Sequence, residues 1–123
     1  MKSMTEQSGF HRLRVWQEAH TLVLLIYKAT RSFPKEELFG LTSQIRRAAV
    51  SIAANIVEGH ARNSRKEFIQ FLSISKGSLV EVEYYIQLAS DLSYIDIKQH
   101  KLLKDQLHYV GVLLHKFTQA MTH

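Results

Sequence analysis

The sequence predicts an all-α protein that folds as one antiparallel four-helix bundle with up-down-up-down topology. Its 123 residues, 46% of them hydrophobic, are enough for one compact domain with a buried core. A single Pro leaves little to interrupt long helices. Four stretches carry apolar residues in steps of three and four, the period of an amphipathic helix, and short connections join them. We place the bundle at residues 13–121, after a polar N-terminal segment of residues 1–12.

The first two helices are predicted at about residues 13–33 and 41–60. Pro34 ends the first helix, because a Pro disfavours the helical conformation of the residue before it. The second helix is rich in Ala and Ser, which let neighbouring backbones come close, so it should lie at the crowded centre of the bundle. We expect the side chain of Thr42 or Ser43 to cap its start.

The third and fourth helices are predicted at about residues 64–92 and 96–121. A capping box, in which two side chains reciprocally satisfy backbone N–H groups, starts the third helix. Its members are Ser64 and Glu67, and Asp96 begins the fourth helix with Gln99 three residues on. Gly77 falls inside the third helix, where it costs about 1 kcal/mol relative to Ala. We therefore expect a close backbone contact at this glycine.

Additional apolar residues lie beside the main stripes of the first and third helices. They are Leu22, Leu25, Ala29, Tyr84, Tyr85 and Leu88. A broad apolar surface of this kind is typical of an oligomer interface, but it also fits a wide stripe that faces the bundle core. The sequence leaves both interpretations open.

The charge of the chain is unevenly distributed. Residues 1–66 hold eleven basic and five acidic side chains, residues 67–123 hold five and six, and all seven arginines lie in the first part. This asymmetry, with a net charge of +5, indicates an anionic partner. The absence of Cys excludes disulfides, thiolate metal sites and thiol nucleophiles, and fits a reducing cytoplasm.

We expect a cytoplasmic protein without a membrane segment. The first residues, Met1 to Gly9, are polar and lack the basic-then-apolar pattern of a signal peptide. The sequence contains no apolar run that approaches the ~20 residues needed to cross a bilayer.

Motifs for catalysis, metals and cofactors are missing from the sequence. It has no Glu-x-x-His pair of the kind that holds two metal ions in a bundle, no His-Glu-x-x-His, no Gly-rich phosphate loop and no Gly-x-Ser-x-Gly. His108 and His115 could share one face of the last helix, but a metal site needs more ligands than these two. We therefore predict a protein that is not an enzyme and that has no cofactor.

Polar residues interrupt the tightly packing second helix and allow two interpretations. One is an internal polar network, since buried charges need partners; its members would be Arg47, Asn55, Glu58 and Glu81. The other is a set of phosphate contacts, which give salt-dependent and sequence-independent affinity for nucleic acid. The candidates for these contacts are Arg12, Arg14, Arg46, Arg62, Arg65 and Lys66.

A combination of short motifs along nearly the whole chain resembles the four-helix bundle protein family encoded within intervening sequences of bacterial 23S ribosomal RNA genes. The residues that carry the resemblance are Val15-Trp16-Gln17-Glu18-Ala19, Phe33-Pro34, Glu37-Leu38-Phe39-Gly40-Leu41-Thr42, Gln44-Ile45-Arg46-Arg47-Ala48, Asn55-Ile56-Val57-Glu58-Gly59, Arg62, Glu67-Phe68 and Gly77-Ser78-Leu79-x-Glu81.

The resemblance implies a bacterial four-helix bundle that assembles as a ring of five. A related branch, the accessory variability protein of diversity-generating retroelements, binds nucleic acid and a reverse transcriptase; the resemblance does not place this chain in that branch. Our hypothesis is a non-catalytic homopentamer that binds RNA or DNA through a basic surface. The alternative is a scaffold for a protein partner without direct nucleic-acid binding.

Overall fold

The computed structural model describes residues 9–122, and they form four long helices, as the sequence predicts. The helices are α1 (Arg14–Thr30), α2 (Leu41–His60), α3 (Arg65–Asp91) and α4 (Ile97–Thr122), with short 3₁₀ turns at Phe10–Arg12 and Lys35–Glu37. No strand occurs in residues 9–122. Within the same range, no helix is long and apolar enough to span a membrane.

The four helices pack in a closed cycle. Each helix packs against its neighbours in the chain and α1 also packs against α4, whereas in residues 9–122 the backbones of the diagonal pairs do not come close to each other. Arg46, near the start of α2, contacts Thr30, the last residue of α1. The 3₁₀ turn before α1 also contacts α2, so these two helices run side by side in opposite directions. This pairing is that of a four-helix bundle, which confirms the predicted fold class.

Branched aliphatic side chains from all four helices fill the core. The nine largest apolar side chains that are less than 2% exposed lie at helical spacing: Leu22, Ile26, Ile45, Ile52, Ile56, Leu72, Val82, Ile86 and Val110. Of the additional apolar residues predicted on α1 and α3, Leu22 and Ala29 are buried, and Leu25, Tyr85 and Leu88 pack against the core. The wide-stripe interpretation therefore holds for these residues, whereas Tyr84 stays exposed.

Small polar side chains join α2 to α3. The Ser75 hydroxyl donates to the Ile52 carbonyl at 2.9 Å, and the hydroxyls of Ser51 and Ser78 lie 2.7 Å apart. Asn55 donates to the carbonyl and the hydroxyl of Ser51. Because these side chains are short, the two backbones approach closely while the serine hydroxyls of the contact keep hydrogen-bond partners.

The start of α4 carries a full reciprocal capping box, whereas only half of the box predicted at the start of α3 forms, since in residues 9–122 the Glu67 side chain does not accept from the Ser64 N–H. Ser64 accepts a hydrogen bond from the Glu67 N–H at 3.1 Å. At the start of α4, Asp96 Oδ1 accepts from the Gln99 N–H at 2.7 Å, and Gln99 Oε1 accepts from the Asp96 N–H at 3.0 Å. These bonds satisfy backbone donors that have no partner within a helix, and they fix where the two helices begin.

The predicted cap of α2 is wrong. The helix already begins at Leu41, so neither Thr42 nor Ser43 occupies the capping position. Instead, Glu37 Oε1 accepts from the Leu41 N–H at 3.1 Å, and Glu37 Oε2 accepts from the Tyr94 hydroxyl at 2.9 Å. This hydrogen bond, burial and the charges of the nearby glutamates raise the pKa of Tyr94. One carboxylate therefore ties the α1–α2 connection to the α3–α4 connection.

The close contact expected at Gly77 occurs instead at Gly59. A Cβ added at Gly77 would have no heavy atom within 4 Å. At Gly59, near the end of α2, a Cβ would lie 2.7 Å from Cδ1 of Phe68 and 2.9 Å from Cβ of Phe71. The glycine that α2–α3 packing requires is therefore Gly59, and no neighbour in the chain accounts for Gly77.

Candidate nucleic-acid interface

Four exposed cations lie at one end of the bundle, which we call the basic end and define by Arg12, Arg62, Arg65 and Lys66. The first of these lies in the 3₁₀ turn before α1, and the other three lie in and just after the α2–α3 turn. All four side chains are exposed. Because α1 and α2 run in opposite directions, the start of α1 lies at the same end of the bundle as the α2–α3 turn.

The guanidinium of Arg62 is held in place from two sides. It lies 3.3 Å from Glu58 Oε2, and it also stacks over the Phe71 ring at 4.8 Å from the centroid. The pair is an exposed i,i+4 contact, which stabilises a helix by only about 0.3–0.5 kcal/mol. Arg62 is thus oriented by its neighbours while its outer surface stays open to an anion.

Within residues 9–122, the other three cations of the basic end have no carboxylate partner. In residues 9–122, the ion pairs within 4.0 Å do not include Arg12, Arg65 or Lys66. Arg65 and Lys66 are also the first two residues of α3, where unpaired backbone N–H groups carry partial positive charge. A helix start with two such side chains favours a bound anion, and phosphate in particular.

Arg14 has a structural role in addition to its position near the basic end. Its Nε lies 3.1 Å from Glu18 Oε2, its Nη2 donates to the Tyr109 hydroxyl at 2.8 Å, and its guanidinium lies 5.7 Å from the centre of that ring. These contacts tie α1 to α4. Arg14 therefore borders the basic end with much of its hydrogen-bonding capacity already used.

The structure separates Arg46 from the other predicted phosphate contacts. Its Nε donates to the Thr30 hydroxyl at 2.8 Å, and its guanidinium lies over the Tyr27 ring at 4.7 Å from the centroid. Arg46 precedes Arg62 by sixteen residues, which is about 24 Å along a helix. Arg46 is therefore not part of the basic end, because it lies near the start of α2 and Arg62 lies in the turn after that helix; its contact with phosphate stays a prediction.

The expected internal network among Arg47, Asn55, Glu58 and Glu81 does not form inside the chain. Three of these side chains are exposed, and the Glu58 carboxylate pairs with Arg62 in the adjoining turn. Asn55 is half-buried and bonds to Ser51 of its own helix. Serines fill the α2–α3 contact, so the charged side chains of Arg47, Glu58 and Glu81 lie outside it, in solvent.

The histidines of α4 do not assemble a metal site. His108 and His115 are both exposed and line the groove between α3 and α4, beside Gly111. No group of three His, Cys, Asp or Glu side chains in residues 9–122 has the geometry to hold a metal ion. Two imidazoles seven residues apart thus share a groove without a third ligand.

A set of rings beside the basic end was not predicted. Phe10 stacks on His11 at a centroid distance of 4.0 Å, Trp16 stacks on His20 at 5.0 Å, and both rings of the first pair contact Trp16 edge-on. The i,i+4 spacing of Trp16 and His20 was a usable signal for the second pair. The cluster fixes the approach of residues 10–12 to α1, and so fixes the position of Arg12.

These features define the chain as a small helical bundle with four exposed cations at the end that holds the α2–α3 turn. The chain belongs to the 23S rRNA-intervening sequence protein family, whose model matches residues 11–116. It is similar to a crystal structure from Bacteroides thetaiotaomicron of a protein with unknown function from the S23 ribosomal protein family. The sequence identity is 26%, the TM-score is 0.79, and the match covers 85% of this chain and 95% of the other. The comparison with curated proteins gives no match.

Proposed function

We propose that this protein is a non-catalytic, cytoplasmic homo-oligomer that binds nucleic acid through the basic end. One observation carries the proposal: three exposed cations at the basic end make no ion pair within residues 9–122. Two of them stand at the start of a long helix, where the backbone adds positive potential. A polyanion with regularly spaced phosphates matches such a surface.

The binding mode that follows is contact with phosphates and not with base edges. The cations occupy a turn and a helix start at the end of the bundle, so they do not lie along one helix that could enter a groove. Phosphate contacts position a nucleic acid without reading its sequence. The affinity should therefore depend little on base sequence and fall steeply as salt rises.

The oligomeric part of the proposal, a ring of five, comes from the resemblance to the family. Exposed apolar side chains on the sides of the bundle support association between copies. They include Leu24, Tyr27, Val50, Ile74, Val80 and Tyr84. These positions lie away from the basic end, so association through the sides of the bundle leaves the cations accessible.

The test is a fluorescence-anisotropy titration with mixed-sequence RNA and DNA at several salt concentrations. Arg65→Glu combined with Lys66→Glu should weaken binding strongly. The slope of log affinity against log salt concentration, which we call the salt slope, should become shallower by about 1.4 for each copy in contact with a single strand, since each lost phosphate contact removes about 0.7. The matched control is Lys35→Glu with Lys98→Glu, two exposed lysines at the other end. Equal binding by the two double variants, or no wild-type binding at low salt, would contradict the proposal.

One observation favours the alternative, a scaffold for a protein partner. At the end opposite the basic end, four large apolar side chains are exposed on and beside the two connections: Leu38, Phe39, Leu92 and Ile97. Phe39 is 93% exposed, and such a patch is typical of a protein contact. A partner that co-purifies after nuclease treatment and is lost with Phe39→Ser would favour this function.

A further inference from the structure

A groove, which we call the α3/α4 groove, runs between α3 and α4 on the outside of the bundle. It holds two adjoining hollows of about 410 and 450 Å³, and Leu79, Gly111 and His115 line both of them. Gly111 has no side chain and so leaves the shared part of the floor open. On α4 the groove extends from Lys104 to Gln119, and these fifteen residues correspond to about 22 Å along a helix.

The floor of the α3/α4 groove is apolar. Leu72, Leu107 and Leu114 are buried core residues that line it. Leu79 is half-buried, and its methyl groups lie 3.8 Å from the position that a Cβ at Gly111 would take. A ligand that fills the two hollows therefore gains most by bringing apolar groups to this floor.

Lysines stand on both walls of the α3/α4 groove. Lys76 on α3 and Lys104 and Lys116 on α4 line the groove and are exposed. In residues 9–122, none of the three belongs to an ion pair within 4.0 Å. Glu83 is the one carboxylate among the residues that line the two hollows. With neutral histidines, three lysines and one glutamate give the lining a net charge of +2.

Carboxylates that neighbour these walls in the sequence lie elsewhere. Asp105 follows Lys104, but it pairs with Lys101 at 2.9 Å. Glu81 lies on the side of α3 that faces α2, where it lines a different pocket together with Arg47. Neither carboxylate neutralises a lysine of the α3/α4 groove.

We propose that the α3/α4 groove binds an amphipathic helix of a protein partner that carries acidic side chains along the edges of its apolar face. The apolar face of such a helix covers the leucines of the floor, and its carboxylates meet Lys76, Lys104 and Lys116. About 15 residues, or four turns, fill the 22 Å of the groove. The groove contains no residue of the basic end, so this inference goes beyond the proposed nucleic-acid binding.

The construction of the groove favours a helix over other occupants. Its walls are helices that keep their backbone hydrogen bonds internal, so an extended strand would find no partners here, whereas a helix satisfies its own backbone. An apolar floor offers no contact to the phosphates and sugars of a nucleic acid. A second copy of this chain has little to offer, because α1, α2 and α4 carry net positive charge and α3 holds three basic and four acidic side chains.

The test is fluorescence anisotropy with a labelled synthetic helix of about 15 residues, with Leu in steps of three and four and Glu on both sides of the Leu stripe. The matched probe has Lys in place of every Glu. The wild type should bind the acidic peptide and not the basic one. Gly111→Leu places a side chain in the floor at a site where a new Cβ makes only ordinary contacts, so it should keep the helical circular dichroism and lose the acidic peptide.

Charge reversal gives the sharpest result. Lys76→Glu combined with Lys116→Glu should weaken binding of the acidic peptide about tenfold, since each reversal replaces an exposed attraction by a repulsion, and should allow the basic peptide to bind. The matched control is Lys28→Glu with Lys98→Glu, two exposed lysines of the groove between α1 and α4, and it should leave both peptides unaffected. Equal weakening by the two double variants would overturn the proposal, because the attraction would then be general to the positive chain.

Two further measurements show whether another molecule occupies the groove. Gly111→Leu should keep the wild-type mass in light scattering, and a lower mass would place a second copy in the groove and overturn the proposal. RNA that displaces the acidic peptide from the Arg65→Glu and Lys66→Glu double variant would assign the groove to nucleic acid, with the same consequence. Loss of RNA binding by that variant with the peptide still bound would support two separate sites, so the proposed function and this inference can fail independently.

Discussion

Gly59 offers a quantitative test of the packing between α2 and α3. An Ala at this position places its Cβ 2.7 Å from Cδ1 of Phe68 and 2.9 Å from Cβ of Phe71. The second contact cannot be relieved by a rotation about χ1, because the Cβ of Phe71 is fixed to its backbone. Phe68 is 9% exposed and its ring packs against His60 and Phe117, which leaves little room for it to move.

The expected magnitude is the difference between two effects. Forcing an extra carbon into a packed contact costs about 1–3 kcal/mol. The better helix propensity of Ala returns up to about 1 kcal/mol. With the full gain subtracted, Gly59→Ala should still lower the free energy of unfolding, by up to about 2 kcal/mol. For 123 residues with an unfolding entropy of about 2.1 cal/mol/K each, 1 kcal/mol corresponds to about 4 °C in Tm.

The assay is thermal denaturation followed by circular dichroism at one protein concentration. The matched control is Gly111→Ala in α4, where the new Cβ would meet Leu79 carbons at 3.8 Å, an ordinary contact. We expect Gly111→Ala to raise Tm by up to about 4 °C, through helix propensity, and Gly59→Ala to lower it. If both variants raise Tm alike, the backbones of α2 and α3 are not as close as the structure has them.

Two further substitutions test hydrogen bonds between elements. Tyr94→Phe removes the hydroxyl that Glu37 accepts and should lower Tm. Because this bond raises the pKa of Tyr94, its contribution to the stability of the fold is complete below about pH 10 and is lost as the pH rises further. The Tm difference between Tyr94→Phe and the wild type should therefore shrink above that pH. A difference that grows would refute the assignment. Arg46→Gln should cost about 1–2 kcal/mol by loss of the contacts to Thr30 and Tyr27, with no change in RNA affinity by anisotropy. Weaker RNA binding would return Arg46 to the interface.

The fold was predictable because its signals are local and repeated. Apolar spacing marks each helix, and a polar residue with Glu or Gln three positions later marks the starts of α3 and α4. The start of α2 was not predictable in this way. Its capping group is Glu37, a side chain of the preceding connection, and that carboxylate is also held by Tyr94 from the other connection. A cap that depends on contact between two connections leaves no pattern in the neighbouring residues.

The candidate site was predictable as a list of cations but not as an arrangement. Arg62, Arg65 and Lys66 are close in sequence and therefore close in space. Arg46 has the same chemistry, but its location depends on the direction of α2, which carries it about 24 Å from Arg62. The same limit applies to Glu81, which the sequence places near α2 without saying whether it faces inward. The rotation of each helix about its own axis decides which of its side chains face the neighbouring helix. In this chain, the serines take the inner positions between α2 and α3.

The position of the basic end links the proposed assembly to binding. The exposed apolar side chains of the helices lie on the sides of the bundle, whereas the cations of the basic end lie at one end, so the proposed ring places every basic end on the same rim. One copy offers up to four phosphate contacts, which corresponds to a salt slope of about −3 for a single strand. A strand that follows the rim meets the cations of several copies, and its slope rises in proportion. A variant that no longer assembles but keeps every cation of the basic end should retain weak binding with the shallow slope of one copy. Binding by this monomer with the affinity and slope of the wild type would show that assembly and nucleic-acid contact are independent.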